Sequence, residues 1–245
     1  SLHSVTLRPQ VDGVLTQVLF REGQFVKQGE LLARIDDRAI VAGLEQARAE
    51  LARNEAQVKL AQLDLTRYGN LVKDDAVSLQ TLEQQRALVA QLAASARANA
   101  ASIAMQEVQL SYTRITSPVS GRAGLRRVDP GNVMRAGDSE GIVTVTQIDP
   151  VAVVFSLPQQ DLPTVQALLQ QNASDVPVMA LDRDSETPLA KGYLRMIDNA
   201  IDATTGTIRL KAEFANADGK LWPGQFVSVR LLASTMSDAV VADTL

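Results

Sequence analysis

A short motif that occurs twice, with a long proline-free stretch between the copies, constrains this chain more than any other feature. The first copy is Val11-Asp12-Gly13, then Glu22-Gly23, then Gln28-Gly29. The second is Val119-Ser120-Gly121, then Pro130-Gly131, then Ala136-Gly137. In each copy the glycines stand ten and then six residues apart, Phe25 answers to Val133, and Lys27 answers to Arg135. Glycine adopts positive φ without steric cost, so Gly13, Gly23 and Gly29 read as turns. They punctuate short strands built on Val14, Leu15, Val18 and Leu19, with Leu31–Ile35 as a further strand. Two matching half-domains separated by an insertion describe a mechanical part rather than a catalyst.

The insertion has a different period. No proline occurs between Pro9 and Pro118, and Gly69 is the only glycine between Gly43 and Gly121. Leu44, Leu51, Val58 and Leu65 recur every seven residues, with Ala47, Asn54, Ala61 and Tyr68 three residues after each. A second seam follows in Leu82, Val89, Ala96, Ile103 and Leu110, with Gln85, Leu92, Asn99 and Gln106 between them. Two heptad seams joined by a polar bend predict an antiparallel coiled-coil hairpin over 37–113. Arms of about 30 residues reach on the order of 45 Å. Asn54 and Asn99 sit in the seams, where a buried Asn fixes register at a cost in stability. The bend is expected between Gly69 and Ser78. Ser78 can cap the second helix, and Thr81 stands where a capping box has Glu or Gln.

Strands return after Tyr112, and the second half-motif runs through 114–147. Asp149-Pro150 marks a boundary, because a residue before proline leaves the helical region. Strands are expected over 151–157, 176–181, 192–197, 207–214 and 226–232, with one helix over 159–171. Asp218-Gly219 and Pro223-Gly224 are turn pairs. Such a set suggests a small closed barrel. The expected class is therefore α+β, multidomain and elongated. A split lipoyl-like β-sandwich (5–36 and 114–147) holds the inserted hairpin (37–113), and a β-barrel with one helix (148–233) follows.

Composition excludes several functions. A net charge of −4 lacks the basic field that nucleic-acid binding needs. There is no cysteine, hence no disulfide, thiolate metal site or Cys nucleophile. Aromatics are only 4%, while small side chains suit two helices in close approach. No apolar run approaches the length that spans a bilayer, and Ser1-Leu2-His3-Ser4-Val5 is not a signal peptide. His3 is the only histidine, which removes His–His metal pairs and a Ser–His dyad within one chain. Met105, Met134, Met179, Met196 and Met236 form no cluster for soft metals. Asp182-Arg183-Asp184-Ser185-Glu186 starts like a calcium loop. Thr187 then stands in place of the required glycine and Tyr193 in place of the glutamate, so the stretch reads as a solvated hairpin loop. The scattered Asp and Glu offer no convergent acid/base pair. No cofactor and no metal are expected.

The bend carries the sharpest functional signal. Arg67 and Leu71, four apart, share a helix face, and Ser78 follows seven residues later at the start of the return helix. A cation, an apolar knob and a hydroxyl at a hairpin tip suit docking on another helical protein. The same residues also read as a solvated Arg67, a Leu71 that closes the seam and a Ser78 that only caps. Both readings stand on the residues alone.

The glycine-spaced halves resemble biotinyl/lipoyl carrier domains, but Ala39 occupies the place of the carrier lysine and the tip opens into the hairpin. The chain as a whole resembles the periplasmic adaptor proteins (membrane fusion proteins) of resistance–nodulation–division (RND) efflux pumps. The stretches that carry this are Arg8 to Gly13, Glu22 to Gly29, Arg114-Ile115-Thr116-Ser117-Pro118-Val119-Ser120-Gly121-Arg122, Ile197 to Thr207, Asn216, and Leu221 to Val227. Ile201 to Arg209, with Gly141-Ile142-Val143, looks closest to the Mdt-type multidrug branch. The resemblance implies a non-enzymatic adaptor in the periplasm of a Gram-negative bacterium, attached to the inner membrane. It would bridge an inner-membrane RND transporter and a TolC-like outer-membrane channel, with six copies per complex. The family's tip motif carries over onto Arg67, Leu71 and Ser78, which would touch the channel's helical tips. The resemblance further implies an upstream signal sequence with a lipid anchor or transmembrane helix. Residues 234–245 would be the incomplete start of a membrane-proximal domain. An adaptor of a type I secretion or heavy-metal export system is the alternative. The former tends to have much longer hairpins, and the latter clustered Met or His near the N-terminus.

Overall fold

A computed structural model describes residues 2–172, 176–184 and 187–232. The expected membrane-proximal segment 234–245, with Met236, and Ser185 and Glu186 of the hairpin loop lie outside the described residues. The first repeat supplies β1 (Ser4–Leu7), β2 (Gly13–Val18), β3 (Phe25–Val26) and β4 (Leu31–Ile35). The second supplies β5 (Arg114–Thr116), β6 (Gly121–Ala123), β7 (Val133–Met134) and β8 (Val143–Thr146). These strands form two sheets, ordered β1-β8-β6-β3 and β5-β4-β2-β7. Each sheet takes two strands from each repeat, so neither repeat completes a sheet alone.

The repeats exchange equivalent bonds. Gly13 and Gly121 stand 108 residues apart, and the same offset relates bond after bond. The Gly23 N–H donates to the Ala123 carbonyl at 2.9 Å, and the Gly131 N–H to the Leu15 carbonyl at 2.7 Å. The Gln28 N–H donates to Ser120 Oγ at 2.9 Å, and the Ala136 N–H to Asp12 Oδ1 at 2.6 Å. Within each turn the Lys27 N–H reaches Glu30 Oε2 at 2.8 Å, and the Arg135 N–H reaches Asp138 Oδ2 at 2.9 Å. Between the sheets lies one apolar core in which Leu15, Val26, Leu32, Ile35, Ile142, Val143 and Val145 are wholly inaccessible.

The glycines divide into two kinds. Gly23, Gly29, Gly131 and Gly137 have φ of 73°, 82°, 98° and 85°, as their turns require. Gly13 was expected to be a turn of the same type and is not. It opens β2, where a Cβ would lie 2.5 Å from Ile35 Cγ2. Gly121 is tighter still, since its Cβ would run into the Thr146 carbonyl oxygen, with the carbonyl carbon behind it at 2.7 Å.

The insertion is a helical pair, α1 (Arg38–Lys73) and α2 (Leu79–Tyr112). Every seam residue named above is buried or half-buried. Asn54 Nδ2 donates to Ser95 Oγ at 3.2 Å, and Gln85 Nε2 to the Ala61 carbonyl at 3.0 Å. Arg48 pairs across to Glu107 at 3.1 Å. These partners fix the arms as antiparallel. At the base, Asp36 does the capping: its Oδ1 accepts the Arg38 N–H at 3.1 Å, while Asp37 makes no side-chain cap.

The bend is shorter than expected. Gly69 lies inside α1, which continues to Lys73, so only 74–78 turn the chain. The stop is a Schellman motif. The Ala76 N–H donates to the Leu71 carbonyl at 2.9 Å and the Asp75 N–H to the Val72 carbonyl at 3.1 Å, with Asp75 at φ 53°. An aspartate here fills the left-handed position usually given to glycine, which is why the sequence pointed to Gly69 instead.

Beyond the sandwich come β9 (Val151–Pro158), a 3-10 turn (Gln159–Asp161), α3 (Leu162–Asn172), β10 (Pro177–Leu181), β11 (Pro188–Asp202), β12 (Thr207–Phe214) and β13 (Ser228–Leu231). They form one antiparallel sheet ordered β13-β10-β11-β12-β9. Among the described residues β9 and β13 are the two edges, and no ladder joins them. The 221–227 stretch lies beside β9 instead. It bends through a Trp222–Gln225 turn, so β13 begins only at Ser228. The core is separate from that of the sandwich and centres on Phe214, Leu194, Leu210, Val176 and Val178, with Val165 of α3 against it. The buried Asn216 ties this unit to the linker. Its Nδ2 donates to the Ile148 and Leu221 carbonyls, both at 2.8 Å, and its backbone N–H donates to Asp149 Oδ1 at 2.8 Å.

Candidate functional site

The three residues singled out at the bend come to one end of the hairpin, each in a different setting. Arg67 lies on α1 two turns from its end, with a side chain 72% exposed. Its Nη1 meets Asp64 Oδ1 at 2.8 Å, one turn back. An exposed pair of this kind contributes little, because solvent screens it and two side chains must be held still. The guanidinium is thus oriented by Asp64 without being consumed by it. Leu71 is half-buried, and its carbonyl is the acceptor that ends the helix. Ser78 is extended, at φ −77° and ψ 152°, and its Oγ accepts the Thr81 N–H at 3.2 Å. Its hydroxyl also meets Thr81 Oγ1 at 2.9 Å. Ser78 is therefore a true helix cap, with the Thr81 hydroxyl as a second contact to its side chain.

The tip is mixed in charge. Arg67 and Lys73 stand among Asp64, Asp74 and Asp75, and Leu79 is 68% exposed at the start of α2. Such a surface offers a cation, carboxylates and an apolar contact to a partner. Asp75 is the residue the sequence did not single out. Nothing in its neighbourhood marks it except the lack of a glycine where the helix stops.

The other candidates resolve simply. Ala39 is exposed in the first turn of α1. His3 Nδ1 lies 2.8 Å from Gln147 Oε1, which pairs the N-terminal strand with the end of β8. Asp182 Oδ1 accepts the Asp184 N–H at 3.2 Å, and the Asp182 N–H reaches the Thr187 carbonyl at 2.9 Å. Among the described residues no three His, Cys, Asp or Glu side chains gather as metal ligands, and no helix is long and apolar enough to cross a membrane.

A sandwich of two exchanged repeats, opened by a helical hairpin and followed by a second β unit, defines a class. Residues 3–146 match the family model for the RND MFP barrel-sandwich hybrid domain, and residues 150–235 match that for the RND MFP beta-barrel domain. The chain belongs to the RND membrane fusion protein (MFP) family. Within it the similarity is to the Mdt type. The chain is 47% identical over 241 residues to "Multidrug resistance protein MdtA" of Proteus mirabilis (strain HI4320), covering 98% of this chain and 58% of the relative. It is 46% identical over 242 residues to the protein of the same name from Escherichia coli O17:K52:H18 (strain UMN026 / ExPEC), covering 99% and 58%. The chain therefore spans less than two thirds of the length of these relatives. Among solved structures it resembles a MacA-MexA chimeric protein containing the Pseudomonas aeruginosa MexA alpha-hairpin domain. The TM-score is 0.63 at 24% identity, over 94% of this chain and 75% of that one. That likeness is one of fold.

Proposed function

We propose that this chain is the adaptor portion of a tripartite multidrug efflux pump, joining an inner-membrane RND transporter to a TolC-like outer-membrane channel. The relatives' name, multidrug resistance protein, supports the cargo class. The observation that carries the bridging role is the hairpin. Its two helices, of 36 and 34 residues, pack on each other and carry Arg67, Leu71 and Ser78 at the far end. A helix of that length extends on the order of 50 Å, and a paired rod transmits orientation where a flexible linker of equal contour would not. The division of labour follows the expected domains: 5–36 and 114–147 as base, 37–113 as arm, 148–233 as the unit nearer the transporter. In this reading the protein is not an enzyme. It works in the periplasm, held to the inner membrane, and six copies ring the drug path.

Arg67 is the residue that docks. It presents a charge that a carboxylate on the channel's helical tips would accept, Leu71 adds an apolar contact, and Ser78 holds the start of α2 in position for both. The test is Arg67→Asp in the full-length protein, in cells that carry the cognate transporter and channel. The expected result is loss of drug resistance with normal folding, export and expression. Full resistance in that variant would sink the docking role.

A further inference from the structure

The sandwich and the second β unit meet along a cleft whose two walls are each held in place. On the sandwich side, Arg122 of β6 donates from Nε to the Gly23 carbonyl at 2.7 Å. Phe25 stands opposite it in the ladder. On the other side, the Trp222 N–H donates to Gln225 Oε1 at 3.0 Å, and the Gln225 N–H returns to the Trp222 carbonyl at 3.0 Å. The Arg122 guanidinium carbon lies 5.2 Å from the centre of the Trp222 ring. Between these walls is a space of about 370 Å³ bordered by Gly23, Arg122, Leu125, Ile148, Trp222 and Pro223.

Three further features mark this cleft. Trp222 is the chain's only tryptophan and is 59% exposed. Leu125 is 76% exposed beside it. Arg122 pairs with no carboxylate among the described residues, and no acidic side chain borders the space. With Nε committed to Gly23, the guanidinium keeps its two terminal nitrogens for another acceptor. A guanidinium fork beside an aromatic face matches a carboxylate or sulfonate carried on a flat ring. The volume is within the range of small-molecule pockets, which combine an apolar lining with a few fixed polar groups. We propose that this cleft is a small-molecule site for a planar aromatic anion, with the ring against Trp222 and Leu125 and the acidic group on Arg122. The proposal goes beyond the adaptor reading and does not depend on it.

The single tryptophan reports the site directly. Titration of the chain with anilinonaphthalene sulfonate is expected to quench Trp222 saturably, at one site per chain. Phenylnaphthylamine, the same ring system without the sulfonate, is expected to bind about tenfold more weakly, the least that loss of a charged hydrogen bond produces. Arg122→Gln should bring the two probes to equal affinity. Leu125→Glu, at an exposed position that folding does not use, should abolish sulfonate binding by placing a carboxylate on Arg122. Equal affinity of both probes for the unaltered chain would overturn the proposal, and so would an Arg122→Gln variant that binds the sulfonate as well as the parent. Quenching that follows protein concentration, with dimers in sedimentation, would instead assign the cleft to a second copy and overturn it too.

Discussion

The sandwich and the hairpin hold themselves together by opposite means. In the sandwich, large side chains such as Leu15, Leu32, Ile35 and Ile142 are wholly buried, and strands of both repeats interleave in both sheets. In the hairpin, the two long helices bury only Leu44, Asn54, Ala61 and Leu82. Across its seam run polar contacts: Asn54 to Ser95, Gln85 to the Ala61 carbonyl, Arg48 to Glu107. Two helices share one stripe, so they cannot enclose a third layer of side chains. Apolar packing suits the base, where one arrangement must win. Polar cross-links suit the arm, where the arms must stay in step over many turns and little apolar surface is there to do it.

The sharpest way to break the base is at a glycine. A valine at Gly121 would drive its Cβ into the backbone of Thr146 and Gln147, with the Gln147 nitrogen at 2.9 Å. Backbone held in the β6–β8 ladder has no room to yield. Gly121→Val is expected to cost more than about 4 kcal/mol, enough to remove a cooperative unfolding transition. Its symmetry mate, Gly13→Val, is expected to cost less, because its Cβ would meet one side-chain atom, Ile35 Cγ2, and not the backbone of a paired strand. Chemical denaturation of both variants checks this. Equal losses would mean that the two repeats are under the same constraint, contrary to the geometry.

The arm should respond in the other direction. Replacing a buried polar seam residue by leucine usually stabilises a coiled coil and loosens its choice of register. Asn54→Leu is therefore expected to raise the hairpin's stability by about 1 kcal/mol, which slows hydrogen exchange of its amides about fivefold. Faster exchange would show that the Asn54–Ser95 bond is a source of stability and not only of register. The sandwich amides should be unchanged in either case.

The seam was legible because a seven-residue repeat can be read from side chains alone, and every position from Leu44 to Leu110 in the two heptad series is at least half-buried. The repeated motif was legible for the same reason. Its turn glycines, Gly23, Gly29, Gly131 and Gly137, are needed by their own backbone angles. What spacing does not encode is who pairs with whom. Gly13 and Gly121 are small because another strand passes close by, a fact about distant residues. The bend was drawn too wide because a helix tolerates Gly69 and an aspartate took the left-handed residue. The β-barrel unit was legible from its strands, and residues 150–235 match the beta-barrel family model, but the order β13-β10-β11-β12-β9 was not, since strand lengths do not state which edges meet. The Arg122–Trp222 cleft, with its walls a hundred residues apart in sequence, left no local signal at all. The docking reading of Arg67, Leu71 and Ser78 rests on a spacing, whereas Ser78's capping role, expected from its residue type, is seen in its bond to the Thr81 N–H.

The smallest expected effect lies where base and arm join. Asp36 takes both the Arg38 N–H and its guanidinium, with the Arg38 Nη2 at 2.6 Å. The Arg38 side-chain bond is the main cause that holds the Asp36 carboxyl down, to about 2 from an ordinary 3.8. A depressed carboxylate contributes stability that is fully present above its unfolded value and disappears as pH falls through the folded one. Asp36→Asn should accordingly lower the thermal midpoint slightly at pH 6. The gap from the parent should narrow below about pH 4 and close near pH 2. Arg38 is exposed and Asp36 only half-buried, so the gap will be small and will shrink in high salt. A gap that persists unchanged at pH 2 would show that Asp36 acts through its shape at the start of α1, not through its charge, and the joint would then belong with the packed base rather than with the polar arm.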